Sequence, residues 1–264
     1  MNADAMEFAR RMAAGVPRWG LTLACAAVVG LSGCASGPGA DPRDPLEPFN
    51  RDVTRFNDAV DKAVLKPVAT AYQDVVPSPV RTGVGNFFGN LGDAWSFVNN
   101  VLQFRPEAAV DSFMRVSLNT FFGMAGVLDI ASEAGIDRHK EDFGQTLGRW
   151  GMPPGPYLVL PLLGPSTFRD TAALPVDRVG NVVSTLDHVP TRNSLIALRA
   201  VDTRAHLLRT VQVLEQAALD PYSFNRDAFL QKRRNDVYDG APPEEERWDE
   251  PEEVAPAEGP PAAK

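Results

Sequence analysis

Apolar side chains in the middle of this 264-residue chain recur every three or four residues, which constrains the fold more than any other feature. One apolar stripe runs from Phe88 to Leu102 and a second from Val110 to Phe122, with Pro106 between them. Proline suits the first turn of a helix and disfavours helix at the preceding residue, so one helix should end before Pro106 and another should begin there. Alternating, strand-like patterns are scarce. The sequence therefore predicts an all-α fold.

Two more helices are predicted towards the carboxyl end. A long, charge-flanked apolar stripe begins at Leu195 and fades near Glu215. Asp220 and Pro221 then form a typical helix start, because Asp caps exposed backbone N–H groups and Pro fits the first turn.

One uncharged stretch departs from the helical pattern. The nineteen residues 150–168 contain five prolines and three glycines, so they are long enough to span a bilayer but cannot form a regular helix. Backbone this irregular cannot face lipid unpaired, and we expect it to be buried in protein or to line a cavity. Arg169, at its end, is a candidate partner for a lipid phosphate. Pairing of Arg169 with Asp170 or with a helix end is an equally good interpretation.

The amino terminus has the pattern of a bacterial lipoprotein signal. Three arginines precede the charge-free run Trp19–Gly30, which is too short to span a membrane and fits the apolar core of a signal peptide. The run ends in Leu31-Ser32-Gly33-Cys34, which resembles the lipobox. Residues 1–33 are therefore predicted to be removed and Cys34 to be lipidated. The alternative is an ordinary secretory signal with an incidental cysteine.

Composition divides the rest of the chain. Residues 34–45 are predicted to be a tether, 46–239 a helical domain, and 240–264 an acidic, Pro-rich disordered tail. The net charge of −8 argues against a nucleic-acid partner, which usually meets a basic stripe. Ala35, rather than Asp, follows the lipidated cysteine and favours the outer membrane by analogy with lipoprotein sorting.

The sequence shows little that could carry catalysis. Its three histidines are scattered without metal-ligand spacing, and Cys34 would be consumed by lipidation. His139 lies among acidic residues that could hold a cation, although a solvated loop explains them better. Neither a phosphate-binding loop nor a nucleophile elbow is present in the sequence. We expect no enzyme activity, no cofactor and no metal.

Short motifs follow one another in a fixed order along residues 44–237. The main ones are Asp44–Arg51, Lys66–Ala69, Asn86–Leu91, Asp142–Gly148, Gly155–Pro161, Gly164–Asp170 and Asp220–Tyr222. Together they resemble the MlaA (VacJ) family of outer-membrane lipoproteins, and the combination is highly specific.

The resemblance implies a fold and a function. It implies a ring-like arrangement of amphipathic, interfacial helices with Pro/Gly-rich connections, embedded in the outer membrane of a Gram-negative bacterium around an amphipathic channel. It implies association with trimeric porins and passage of phospholipid from the outer leaflet to the periplasmic carrier MlaC, which maintains lipid asymmetry. The alternative is a structural lipoprotein that braces porins without moving lipid.

The resemblance also bears on particular residues. The stripes Phe88–Leu102 and Val110–Phe122 are expected to face lipid or core, since interfacial helices place such residues in lipid. Phe56 and Asn57 are expected to control the state of the channel, because in the family the matching region lies beside the pore.

Overall fold

The computed structural model describes residues 41–243, with the side chains of residues 213–217 excepted. Cys34, the signal peptide 1–33 and most of the acidic tail lie outside this range. The described part is predominantly helical, as predicted, and the ring-like arrangement stays a prediction. Its elements are α1 (Glu47–Val60), a π-helical turn (Asp61–Leu65), α2 (Lys66–Val75), α3 (Ser78–Leu102), α4 (Pro106–Phe121), α5 (Ile130–Glu133), α6 (Phe143–Arg149), β1 (Tyr157–Leu160), β2 (Gly164–Thr167), α7 (Phe168–Gly180), α8 (Val189–Ala217) and α9 (Pro221–Val237).

The helix boundaries predicted from proline are confirmed. Helix α3 ends at Leu102 and α4 begins at Pro106. Helix α9 begins at Pro221, where the Asp220 carboxylate accepts a hydrogen bond from the backbone N–H of Tyr222 at 3.2 Å. A cap of this kind satisfies a donor that the first turn of a helix leaves without a partner.

The uncharged stretch contains a short β-hairpin, which the helical pattern did not predict. Strands β1 and β2 are antiparallel, with Tyr157 opposite Thr167 and Leu160 opposite Gly164. Leu162 and Gly164 have positive φ angles of 64° and 84°, which lets the chain reverse between the strands. The hairpin satisfies by strand pairing many peptide groups that the prolines exclude from a helix.

A conventional apolar core lies where α1, β1 and α9 meet. Its buried members are Val53, Tyr157, Val159 and Tyr222, and Phe229 packs against them. The Tyr157 ring lies 6.4 Å from that of Tyr222 and 6.1 Å from that of Phe229, typical distances for packed aromatic pairs. The expectation that the uncharged stretch packs against helices is met by Tyr157 and Val159, but most of the stretch, including Leu162 and Leu163, is exposed.

The folded body begins earlier than the sequence predicts. Residues 41–45 fall within the predicted tether 34–45, yet Asp44 is only 1% exposed. Its carboxylate accepts hydrogen bonds from Asn50 Nδ2 at 2.8 Å and from the Tyr222 hydroxyl at 2.5 Å. Asp44 thus joins the first helix to the last, a role that composition cannot reveal because its partner is 178 residues away.

Candidate functional site

Helix α4 carries its polar residues inside and its apolar residues outside. Ser112, Arg115 and Asn119 are each 1% exposed. Phe113 and Phe121, on the other side, are 54% and 82% exposed. Helices on the surface of a water-soluble protein have the opposite arrangement. The outer face of α4 is therefore suited to apolar surroundings.

Helix α3, which packs against α4, follows the same rule. Of the apolar stripe predicted between Phe88 and Leu102, Phe88 is buried, whereas Val98 is exposed. The other buried positions of α3 are small or polar: Gly83, Asn90, Asp93, Ser96, Asn99 and Asn100. The interior between the two helices is accordingly built from hydrogen bonds more than from apolar contacts.

A buried ion-pair network holds this polar interior together. Arg115 pairs with Asp93 at 3.3 Å and with Asp129 at 2.8 Å, and Arg138 pairs with Asp93 at 3.0 Å. Asn119 donates a further hydrogen bond to Asp129 at 2.9 Å. Burial works against ionisation of Asp129, but hydrogen bonds and the Arg115 charge outweigh it and lower its pKa to about 2.

A polar cavity of about 960 Å³ lies beside this network, between α3, α7, α8, α9 and the loop that precedes α6. Most charged residues in its wall are paired, for example Arg105 with Glu141 at 2.7 Å. Three charged lining residues have no ion pair with any residue of the described range: Lys140, Asp177 and Arg199. Free charges in a wall are available to a charged ligand.

A second cavity, of about 850 Å³, lies between α9 and the loop after α6, and Arg169 is in its wall. Arg169 is 4% exposed, and its Nε donates to Asp170 at 3.0 Å. The structure therefore contains the Arg169–Asp170 pair that was the alternative to a contact with a lipid phosphate. Nη1 of Arg169 lies 3.4 Å from the Met152 carbonyl oxygen. Within residues 41–243, Nη2 of Arg169 has no hydrogen-bond partner, and the phosphate role of this residue stays a prediction.

Arg233 lines both cavities and separates them. Its guanidinium donates to Asp142 at 2.6 Å and to Asp170 at 2.8 Å. Burial acts against ionisation of Asp170, but its contacts with Arg233 and Arg169 outweigh burial and lower its pKa. The partition between the cavities is thus a chain of four alternating charges.

Phe56 and Asn57, the pair predicted to control the channel, lie on α1 next to the hairpin. Phe56 is 52% exposed. The Asn57 amide forms two hydrogen bonds with the hairpin turn. Its Nδ2 donates to the Leu160 carbonyl at 3.0 Å, and its Oδ1 accepts from the Leu162 N–H at 2.8 Å. A contact with the hairpin therefore gives Asn57 a definite structural role.

Asn50 makes the same pair of contacts further along the strand, and the sequence analysis did not single it out. Its Nδ2 donates to the Tyr157 carbonyl at 3.1 Å and its Oδ1 accepts from the Val159 N–H at 2.8 Å. Asn50 and Asn57 are seven residues, or two helical turns, apart and so share one face of α1, where Asn50 contacts β1 and Asn57 contacts the turn that follows it. Helix α1 thus takes the place of a neighbouring strand.

Two further findings bear on what this site can do. In the described range 41–243, no helix is both long and apolar enough to cross a membrane. The same residues contain no cluster of three or more His, Cys, Asp or Glu that could hold a metal ion.

Apolar outer faces around a polar, charged interior define a class of helical protein suited to lipid surfaces. Comparison with known proteins agrees, since the model of the MlaA lipoprotein family matches residues 42–236. The chain belongs to the MlaA lipoprotein family.

Individual relatives cover most of the chain. It is 39% identical over 209 residues to the intermembrane phospholipid transport system lipoprotein MlaA of Escherichia coli (strain K12), covering 76% of this chain and 82% of the relative. The protein of that name from Haemophilus influenzae is 34% identical over 229 residues, covering 80% and 88%. A solved structure described as the structural basis for maintenance of bacterial outer membrane lipid asymmetry has a TM-score of 0.66 and 36% identity, covering 74% of this chain and 98% of that one.

Proposed function

We propose that this protein is an outer-membrane lipoprotein that takes phospholipid from the outer leaflet and passes it through its polar cavity to a periplasmic carrier. The observation that carries the proposal is the reversed polarity of α4, with Arg115 1% exposed and Phe121 82% exposed. The names of the relatives support it, since they refer to phospholipid transport and outer membrane lipid asymmetry.

The geometry suggests how the two parts of a phospholipid are handled. A charged headgroup is costly to bury in hydrocarbon, and a cavity lined by charged and hydrogen-bonding groups lowers that cost. The cavity of about 960 Å³ has such a lining. Acyl chains are compatible with the apolar outer faces of α3 and α4, where Val98, Phe113 and Phe121 are exposed. The headgroup travels in a polar environment while the tails stay in an apolar one.

Lipidation of Cys34 would keep the protein at its substrate. Each buried CH₂ contributes about 0.8 kcal/mol, so one acyl chain binds marginally and several hold a protein stably on a membrane. Intact-mass analysis of the membrane-extracted protein is expected to show loss of residues 1–33 and addition of lipid at Cys34. An unmodified amino terminus would remove this part of the proposal.

Gly92 offers a direct test of the cavity as the lipid route. It lines the cavity, and a Cβ at this position would meet no atom within 4 Å. Gly92→Phe should therefore fill part of the cavity without straining the fold, and Gly92→Ala is the matched control. Transfer of labelled phospholipid from vesicles carrying the full-length protein to the carrier MlaC is expected to fall with Phe and to persist with Ala.

The experiment also addresses the alternative, a structural lipoprotein that braces trimeric porins. Normal transfer by Gly92→Phe at normal protein level would exclude the cavity as the route. A deletion strain with an unchanged amount of phospholipid in the outer leaflet, but with altered porin trimers, would favour bracing.

A further inference from the structure

Two opposite charges that form no ion pair within residues 41–243 face the polar cavity from different helices. Asp177 lies on α7 and Arg199 on α8, and both line the cavity. Apart from Lys140, the other charged residues of the wall are paired, as Lys232 is with Asp236 and Arg233 with Asp142. An anion and a cation in the wall of one polar cavity, neither paired with a described residue, form a site for a ligand that carries both charges.

The Asp177 carboxylate is held from one side only. Its Oδ1 accepts hydrogen bonds from Trp95 Nε1 and from the Phe143 N–H, both at 2.8 Å. Oδ2 accepts none from the described residues. Burial raises the pKa of Asp177 despite these two bonds. The two bonds orient the carboxylate, and the nearby charge of Arg233 favours its ionised form against burial and Asp142.

The Trp95 ring that orients Asp177 is itself fixed by a glycine. A Cβ at Gly180 would lie 2.2 Å from the Trp95 ring, so any side chain there would displace the indole. The close contact brings the end of α7 against α3. Asp177, three residues before Gly180, is therefore held at a defined place in the wall.

The guanidinium of Arg199 lies over an aromatic ring. Its guanidinium carbon lies 6.0 Å from the centre of the Phe88 ring, and the side chain is exposed to the cavity. Burial by the surrounding protein lowers the pKa of Arg199, but a guanidinium remains charged at any physiological pH. Such a group, partly removed from bulk water, favours an anionic partner over solvent.

The two α3 side chains that lie next to these charges are spaced to suit a ligand with two charged ends. Phe88, next to Arg199, and Trp95, bonded to Asp177, are seven residues apart on α3. Seven residues are two helical turns, so both side chains share a face and are separated by about 10 Å. A phosphoethanolamine group with its phosphate at Arg199, beside Phe88, and its ammonium at Asp177, beside Trp95, extends along this face of α3.

We infer that Asp177 and Arg199 form a headgroup site for zwitterionic phospholipids with a primary ammonium, with Arg199 binding the phosphate and Asp177 the ammonium. The inference rests on the proposed transport function and adds a lipid preference to it. A primary ammonium donates hydrogen bonds to Oδ2, whereas a glycerol headgroup brings no positive charge and a choline headgroup has no N–H to donate.

The test measures which lipids the full-length protein binds. The protein, purified in detergent, is mixed with phosphatidylethanolamine, phosphatidylglycerol and phosphatidylcholine in equal amounts, and the bound lipid is quantified by mass spectrometry. We expect the wild type to prefer phosphatidylethanolamine. Asp177→Asn should lower the ratio of bound phosphatidylethanolamine to phosphatidylglycerol about tenfold, because it removes one charged hydrogen bond.

Arg199→Gln should lower binding of all three lipids about tenfold without changing their ratio, because each carries the phosphate. Arg178→Gln removes an exposed cation of α7 that does not line the cavity, and should leave both quantities unchanged. Thermal unfolding of each variant checks that it folds.

Three results would overturn the inference. An unchanged lipid ratio in Asp177→Asn removes the ammonium site. Normal binding by Arg199→Gln together with weak binding by Lys140→Gln moves the phosphate to Lys140. A wild type that binds no phospholipid at all overturns the proposed transport function and the headgroup site together, so the two failures are distinguishable.

Discussion

Two regions of this molecule are stabilised in opposite ways. Where α1, β1 and α9 meet, apolar side chains such as Val53, Tyr157 and Val159 are buried together. Between α3 and α4 the buried groups are polar, with Arg115 at the centre, and Phe121 is exposed. The first region has the arrangement expected in water, and the exposed apolar side chains of the second suit apolar surroundings.

The proposed contact of α3 and α4 with the membrane would account for the difference. Hydrophobic burial drives folding when the alternative is water, but it contributes little between helices whose outer faces already contact hydrocarbon. Hydrogen bonds and ion pairs then hold helices together, provided that every buried group finds partners. Arg115, Asp93 and Asp129 meet this condition. The side-chain oxygens of Asn90 and Asn100 have no hydrogen-bond partner among the described residues, so the ion-pair network is the better target for a test.

Replacing Arg115 by Met is expected to have the largest effect on stability. The arginine is 1% exposed, and its loss leaves the carboxylate of Asp93 buried with Arg138 alone and weakens the hold on Asp129. Breaking a buried ion pair in this way costs about 3–5 kcal/mol of unfolding free energy. Chemical unfolding in detergent measures it, with Arg178→Met, an exposed arginine, as control. Equal stability of the two variants would contradict the polar-interior account.

Acid is expected to weaken the same network by a smaller amount. The pKa of Asp129 is lowered from its ordinary 3.8 to about 2, so its ionised form stabilises the fold at neutral pH. That contribution, about 2 kcal/mol, is complete above pH 4 and is lost as the pH falls from about 4 to about 2. Because the pKa values of Asp41 and Asp170 are also lowered, unfolding measured across this range should show both proteins losing stability, but Asp129→Asn should lose about 2 kcal/mol less than the wild type. An equal loss in the variant would assign the effect to other carboxylates.

Asn57→Ala tests the contact between α1 and the hairpin, beside the conventional apolar core. It removes both hydrogen bonds to the hairpin turn, at Leu160 and Leu162, and should cost about 1–2 kcal/mol. Hydrogen exchange at the Leu162 amide should accelerate, whereas Phe56→Ala, at a position 52% exposed, should leave it unchanged.

Deleting Phe56 and Asn57 together is expected to perturb outer-membrane asymmetry, and a wild-type lipid distribution would count against channel control.

The smallest effect on stability is expected on the outer face of α4. Phe121→Ser should change the unfolding free energy in detergent by less than about 0.5 kcal/mol, because the ring is 82% exposed. Membrane partitioning of the protein should nevertheless fall, since apolar area is lost from the lipid-facing side. Phe88→Ala, in the interior at 5% exposed, is the contrasting variant and should be strongly destabilised. If Phe121→Ser unfolds as readily as Phe88→Ala, Phe121 belongs to a core.

Sequence reasoning located α3, α4, α8 and α9, but it did not predict the other helices and could not assign the faces. Pro106 and Pro221 mark helix starts because proline acts on its own backbone and its neighbours. An apolar stripe shows which residues share a face, but a face buried in protein and a face buried in lipid produce the same period. A polar stripe on the other side of the helix distinguishes a lipid-facing from a protein-facing apolar stripe. In α4 this polar stripe is Ser112, Arg115 and Asn119, which also recur at helical spacing.

The candidate site depended on contacts that sequence spacing does not encode. Arg169 could be singled out because it ends an uncharged stretch, but its partner and its burial needed the structure. Asp177 and Arg199 are ordinary charges in the sequence, and they stand out only because their neighbours in the cavity wall are paired. Asn50 was passed over because its partners, Tyr157 and Val159, are more than 100 residues away.

The pairing of α1 with a strand makes the length of this helix matter more than most of its side chains. Each residue turns an α-helix by about 100°, so removing any two residues between Asn50 and Asn57 rotates everything after them by about 200°. Asn57 would then point away from the hairpin, and Asp61 would leave Arg204, with which it pairs at 2.7 Å. Substitutions at outward positions keep the helix in phase. The contacts of α1 therefore tolerate substitutions at its exposed positions but not insertions or deletions between Asn50 and Asn57.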